Sequence, residues 1–239
     1  MIGDNVQAVR DRIAAAAARA ARDPATVRLL AVSKTHPAAM VAEAARAGLA
    51  AFGENYVQEV LEKMDALAAL GLEWHLIGPL QSNKTRIVAE RFDWVQTVDR
   101  EKIARRLSEA RPEARGPLHV LVQVNVSGED SKSGVAPGDA AALARAVAAL
   151  PRLRLRGLMA IPEPTDDVAL QRARFRTVRG IYELLIGEGL PLDTLSLGMS
   201  ADMDAAIAEG STMVRVGTAI FGARGRPPVA VSSPVPAEG

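Results

Sequence analysis

Eight short apolar runs alternate with helix-patterned stretches along this chain, and that alternation restricts the fold more than any other feature. The runs are 27–33, 50–53, 74–77, 94–98, 118–124, 155–160, 194–197 and 213–216. Each is nearly continuous rather than alternating, as strands buried on both faces require. Between them lie helical patterns at 38–47, 56–70, 84–91, 100–110, 139–150, 168–187 and 201–209. One further helix precedes the first strand and runs to about Arg22, with Asp4 or Asn5 as its cap and Val6, Val9, Ile13 and Ala17 on its apolar face. Regular strand–helix alternation specifies a parallel sheet. Eight units in 239 residues suit a (β/α)8 barrel, for which roughly 250 residues is typical, better than an open sheet. The expected class is α/β, a single (β/α)8 TIM barrel with an extra N-terminal helix. One domain is expected over 1–225, followed by a disordered C-terminal tail over 226–239, which is rich in Pro, Ser, Val and Ala and has no periodicity.

Composition removes several functions. The formal net charge of +1 gives no reason to expect nucleic acid or an anionic membrane as a partner. There is no cysteine, which excludes disulfides, thiolate catalysis and Cys-based metal sites and suits a reducing compartment. His36, His75 and His119 fall in no metal-ligand pattern, so no metal site is expected. The N-terminus carries no signal-peptide core, and no apolar run reaches the roughly 18 residues of a membrane span. The expectation is a cytoplasmic protein, and a monomer, since no large exposed apolar stripe is evident.

In such a barrel the chemistry sits at the C-terminal ends of the strands. Those ends read Ser33-Lys34, Gly53-Glu54-Asn55, Ile77-Gly78, Gln96-Thr97, Asn125, Met159-Ala160, Gly198-Met199-Ser200 and Gly217-Thr218. Polar residues and glycines collect there. Lys34 ends the first apolar run, and an ammonium is rarely buried there unless it is paired or used. Desolvation lowers a lysine pKa, and a neutral amine forms Schiff bases with carbonyls. The chain has only five lysines among many arginines, and an arginine cannot do this chemistry. From the pattern alone two readings stay open: a lysine snorkelling from a strand end, or one that carries an aldehyde.

Ser200 opens the seventh inter-element helix pattern. It reads either as a plain N-cap or as part of an anion site at a helix N-terminus. Gly217 allows a backbone to approach a ligand closely, and the Gly217 and Thr218 amides could form an anion nest. Both segments follow strands seven and eight, the usual phosphate grip of this fold. His75 precedes its strand end and reads as a core histidine or one supporting a site from behind.

The segments AVSKTH (31–36), FGENYVQE (52–59), WHLIGPLQSNK (74–84), VNVSGEDSKSG (124–134), LMAIP (158–162) and the block LSLGMSADMDAAIAEGSTMVRVGTAIFG (195–222) resemble the pyridoxal-phosphate homeostasis proteins, the YggS/PROSC family. The resemblance covers about 27–224. It implies a barrel like the N-terminal domain of alanine racemase that binds pyridoxal 5′-phosphate (PLP) through an internal aldimine, without clear turnover. By position, Lys34 would hold the cofactor covalently. Ser200, Gly217 and Thr218 would bind its phosphate with Met199 beside it, and Arg215 would face the pyridine nitrogen. Asn55 and His75 would line the pocket. Leu76 and Ala160 depart from common family residues at positions away from these contacts.

PLP catalyses as an electron sink, and a strong sink needs a protonated ring nitrogen. Arginine has no proton to give up readily, so Arg215 would leave the sink weak. Racemases with the same arginine use a lysine and a tyrosine as opposed bases. Tyr56 and Tyr182 do not match that tyrosine by motif, and no second β-domain is expected here. The reading is a carrier in intracellular vitamin B6 homeostasis rather than an enzyme, with PLP-dependent apo-enzymes as recipients. The alternatives are a PLP-dependent racemase-type enzyme and a Schiff-base aldolase without the phosphate cofactor.

Overall fold

The computed structural model describes residues 1–128 and 133–222, so the expected tail at 226–239 and part of the 124–134 motif lie outside the described residues. Eight strands close into a parallel barrel in chain order: β1 (Arg28–Val32), β2 (Ala51–Glu54), β3 (Glu73–Leu76), β4 (Trp94–Val98), β5 (Leu118–Gln123), β6 (Leu153–Met159), β7 (Thr194–Ser196) and β8 (Met213–Val216). Closure is made by β1, whose Ala31 pairs with Phe52 of β2 on one side and Val216 of β8 on the other. The intervening helices are α2 (Ala38–Arg46), α3 (Val57–Ala66), α4 (Thr85–Arg91), α5 (Glu101–Ala110), α6 (Pro137–Ala148), α7 (Val168–Gly187) and α8 (Met203–Ala208). α1 (Ile2–Arg19) precedes the barrel and a single turn, α9 (Thr218–Phe221), follows it.

The strands read as continuous apolar runs because both of their faces are buried. Successive side chains point to opposite faces. Ala31, Phe52, Leu76, Val95, Val120, Leu158, Leu195 and Val214 join the layer beneath the helices. Their neighbours in sequence fill the lumen, as Leu30, Ala51, Ile77 and Met213 on one side and Trp94, Leu121 and Met159 on the other. The helices supply the other half of the shell, with Val41, Val60, Val88, Ile103, Leu107, Ala144, Phe175, Val178 and Ile207 buried against the strands.

Four local readings need correction. α1 starts at Ile2, capped by Met1 rather than by Asp4 or Asn5, because Ile2 is itself buried in the core. The 56–70 pattern splits into α3 and a separate 3-10 turn (Ala68–Leu70). Ser200 is not the N-cap of α8; the helix starts at Met203 with Asp202 before it, and Ser200 lies in the preceding turn. That turn leaves β7 through Gly198 at φ +89°, where an added Cβ would lie 2.5 Å from Ala206 Cβ, so only glycine fits between the strand and α8. Finally, α9 was not anticipated, because one turn is too short to show a period. No helix among the described residues is long and apolar enough to cross a membrane.

Phe175 is fully buried on α7, in the core that the helix shares with the barrel. Phe175→Ala should lower unfolding free energy by about 3–5 kcal/mol, read from urea denaturation with an unchanged slope.

Candidate functional site at the C-terminal rim

Seven of the eight expected site residues gather at the C-terminal end of the barrel, and one does not. Lys34 is half-buried in the turn after β1, two residues beyond Val32. It keeps the parity of Leu30 and Val32, which face the lumen. Asn55 follows β2 with the same parity as Ala51. Met199 and Ser200 form the half-buried turn after β7, and Gly217 and Thr218 follow β8. The start of the first turn is tied to β8, where the Arg215 N–H donates to Gly198 O at 3.0 Å. A Cβ added at Gly217 would lie 3.1 Å from Val32 O, so this turn packs directly on the end of the strand that leads to Lys34.

His75 is the exception. It lies inside β3, fully buried in the lumen and stacked on Trp94 at 5.0 Å between centroids. Its Nε2 contacts Glu73 Oε1 at 2.5 Å and its Nδ1 contacts Gln96 Nε2 at 2.9 Å. Both ring nitrogens are engaged below the rim, which favours the core-histidine reading made from its place in the strand. Burial lowers its pKa against the opposing pull of Glu73, so the ring is neutral at physiological pH.

Arg215 is 2% exposed at the top of β8. Its Nη1 donates to Ser196 O and Ser196 Oγ, each at 2.7 Å, and its Nη2 donates to Ala160 O at 2.7 Å, so Ala160, expected to lie away from the site contacts, touches Arg215 through its backbone. Burial brings its pKa down to about 10, against a weaker opposing effect of Asp202, and it stays charged.

The turn carrying Lys34 is fastened by a cluster the sequence did not single out. Lys63, on α3, is buried and its Nζ donates to Glu54 Oε1 at 2.7 Å, Glu59 Oε1 at 2.7 Å and Ser33 O at 2.8 Å. Ser33 Oγ also donates to Glu54 Oε1 at 2.6 Å, and the Thr35 N–H donates to Glu59 Oε1 at 2.7 Å. Burial raises the Glu54 pKa, with Lys63 and Ser33 acting in opposition. Thr35 has φ +66°, left-handed backbone that is rare for a β-branched residue. Strain of this kind persists only where the surroundings enforce it. Here the bonds to Ser33 and Thr35 enforce it on both sides of Lys34. The cluster's one signal in the sequence is the Glu59/Lys63 spacing of one helical turn.

The α1 helix braces the opposite side. Arg12 donates to Ser200 O at 2.7 Å and to Asp204 Oδ2 at 2.5 Å, and Asn5 Nδ2 donates to Ile220 O at 2.9 Å. Among the described residues there is no group of three or more His, Cys, Asp or Glu side chains suited to a metal ion.

These residues fit a phosphorylated aldehyde. Asn55 Oδ1 is buried at the rim and accepts no hydrogen bond, an atom that a ligand donor would satisfy. Gly217 keeps its turn free of a side chain, and the leading N–H groups of the turn it begins have no partner within that helix. Lys34 supplies the amine and Arg215 a fixed cationic donor.

Comparison with known proteins shows the family and the fold. The family model for the alanine racemase N-terminal domain matches residues 5–225. The pyridoxal phosphate homeostasis protein of Pseudomonas aeruginosa is 63% identical over 93% of this chain and 96% of its own length. The chain belongs to the pyridoxal phosphate homeostasis protein family. Its Escherichia coli relative of the same name is 56% identical over 93% of this chain and 97% of its own. Among solved structures, PipY of Synechococcus elongatus with PLP bound superposes with a TM-score of 0.81 at 37% identity, covering 93% of this chain and all of PipY. Alanine racemase from Corynebacterium glutamicum shares the fold, with a TM-score of 0.72 at 20% identity over 97% of this chain and 63% of its own.

Two outcomes follow. Lys63→Met should destabilise by about 3–5 kcal/mol, since it leaves the Glu54 carboxyl buried without its cation, and chemical denaturation measures it. Glu73 carries a different signature. Burial would raise its pKa, but His75 and Arg28 outweigh that and hold it at about 2. A depressed folded-state pKa adds stability that is present above the ordinary carboxylate value of 4.5 and is lost as pH falls towards 2. Glu73→Gln should therefore flatten the acid limb of a stability–pH curve across that window.

Proposed function

We propose that this protein binds pyridoxal 5′-phosphate covalently on Lys34 and serves in its homeostasis as a holder rather than as a catalyst. The observation that carries the proposal is the rim itself, where one amine, one buried arginine and a glycine turn converge in a chain whose relatives bear that name. PipY, similar over nearly the whole chain, has been solved with PLP bound. The Lys34 amine adds to the cofactor's aldehyde carbon and water leaves, so the bond forms without a redox partner and reverses by hydrolysis. Ser200, Gly217 and Thr218 receive the phosphate, Met199 lies beside it, Asn55 lines the pocket, and Arg215 serves the ring nitrogen. When bound, the cofactor supplies an electron sink.

Arg215 supports the non-catalytic part of the reading. A guanidinium spent on two carbonyls and a hydroxyl donates hydrogen bonds and does not protonate a ring nitrogen. Tyr56, the tyrosine nearest a strand end, is 58% exposed. We place the protein in the cytoplasm as a monomer, with the barrel domain spanning 1–225 and PLP-dependent apo-enzymes as recipients of the released cofactor.

Addition of PLP to purified protein should give a visible absorbance band that borohydride reduction makes permanent on a Lys34 peptide. Lys34→Ala should lose the band while circular dichroism is unchanged. Retention of the band at full intensity would assign the bond to another lysine. Exchange of the alanine α-hydrogen for deuterium, dependent on Lys34, would instead establish a racemase-type enzyme. A protein that takes up no PLP would favour an aldolase.

A further inference from the structure

A chain of buried polar side chains runs through the barrel lumen from Arg215 to the opposite end of the barrel. Arg215 Nη1 donates to Ser196 Oγ at 2.7 Å, Ser196 Oγ donates to Gln96 Oε1 at 2.7 Å, Gln96 Nε2 meets His75 Nδ1 at 2.9 Å, and His75 Nε2 meets Glu73 Oε1 at 2.5 Å. Gln96 also donates to Met213 Sδ at 3.2 Å. Glu73 is held in addition by Arg28 Nη2 at 3.0 Å. Ser196, Gln96 and His75 are each 0% exposed. The links come from β8, β7, β4 and β3, so only the closed barrel assembles them.

The direction of every bond follows from its far end. An ionised carboxylate only accepts, so His75 Nε2 carries the proton. A neutral imidazole then has a bare Nδ1, which must accept from the Gln96 amide nitrogen. Gln96 consequently turns its carbonyl to Ser196, the Ser196 hydroxyl donates to it, and the remaining lone pairs of that hydroxyl face Arg215. The opposite orientation of the Gln96 amide would set two acceptors against each other at His75 or at Glu73. Aligned donors polarise one another, and a buried chain of this kind gains from being complete.

We propose that Ser196, Gln96 and His75 are a one-way positioning relay that locks the Arg215 guanidinium in place for the ring of the bound cofactor and couples it to the Glu73 carboxylate at the N-terminal end of the barrel. The proposal rests on the reading of the rim as a PLP site. It gives three lumen residues a role in cofactor holding although none of them lies at the rim.

Ser196→Ala removes one hydroxyl in the middle of the relay, and Glu73→Gln replaces its partly exposed terminus with a neutral group of the same shape. Titration with PLP should show affinity about tenfold weaker for Ser196→Ala, the scale of one hydrogen bond to a charged group. The absorbance maximum of bound PLP should be displaced in both variants. Nitrogen-15 spectra of the ligand-free wild type should show His75 as the Nε2–H tautomer, and Glu73→Gln should disturb that assignment. If both variants keep wild-type affinity and absorbance maximum, even with lowered melting temperature, the residues are structural and the relay is refuted. An Nδ1–H tautomer in the wild type refutes the direction of the chain. A wild type that forms no band and traps no PLP refutes the rim reading instead, and with it the relay's purpose.

Discussion

Closure of β1 onto β8 is the constraint on which the rest of the structure depends. Parallel strands have no hairpin to fix their neighbours, so each pairing is made across a helix-bearing crossover. Once Ala31 pairs with both Phe52 and Val216, there is no free edge, and every strand end faces the same mouth. Residues almost two hundred positions apart then become neighbours. Gly217 packs against Val32, and the turn that carries Lys34 lies beside the turn that follows β8.

A closed barrel also creates an interior that must be filled. Most of it is apolar, but the lumen admits His75, Gln96, Ser196 and Arg215 because each finds partners there. An unpaired polar group in such a place would forfeit its hydration without compensation. Satisfaction of that requirement is what turns scattered polar residues of separate strands into one connected chain. The chain ends at the Arg215 guanidinium near one mouth and at the Glu73 carboxylate, paired with Arg28, near the other.

The two sides of the rim are held by different means. On the Lys34 side, buried ionic bonds from α3 grip the turn and enforce the left-handed Thr35. On the Ser200 side, the helix in front of the barrel reaches over through Arg12 and Asn5 to hold a turn and the final helical turn by their carbonyls. α1 is thus a brace across the place where the barrel closes, as well as a cover for its outer face. Both arrangements suit a site whose task is to hold a reactive group in one geometry, since a turn free to move would relax the alignment of amine and anion donors.

The sequence alone determined the barrel, its strand order and the position of Lys34 on the rim. Those features follow from periodicity and from the rule that parallel strands are buried on both faces, both of which are local properties of the chain. The same pattern put the strand ends from Asn55 to Thr218 on that rim, and the family segments added the roles expected of them. What the sequence could not show were partnerships between distant residues. Glu54 and Lys63 read as ordinary charges until α3 folds back on β2, and Gln96 reads as one polar residue in an apolar strand. The short α9 and the turn at Ser200 were missed because both depend on packing against other strands rather than on a repeat. His75 shows the division most clearly. Its place within a strand marked it as internal, and Glu73 stands two residues before it on the same face of β3, but which nitrogen carries its proton was decided only when the pairing of β3 with β4 set Gln96 against Nδ1, because a hydrogen bond is specified by the group at its far end.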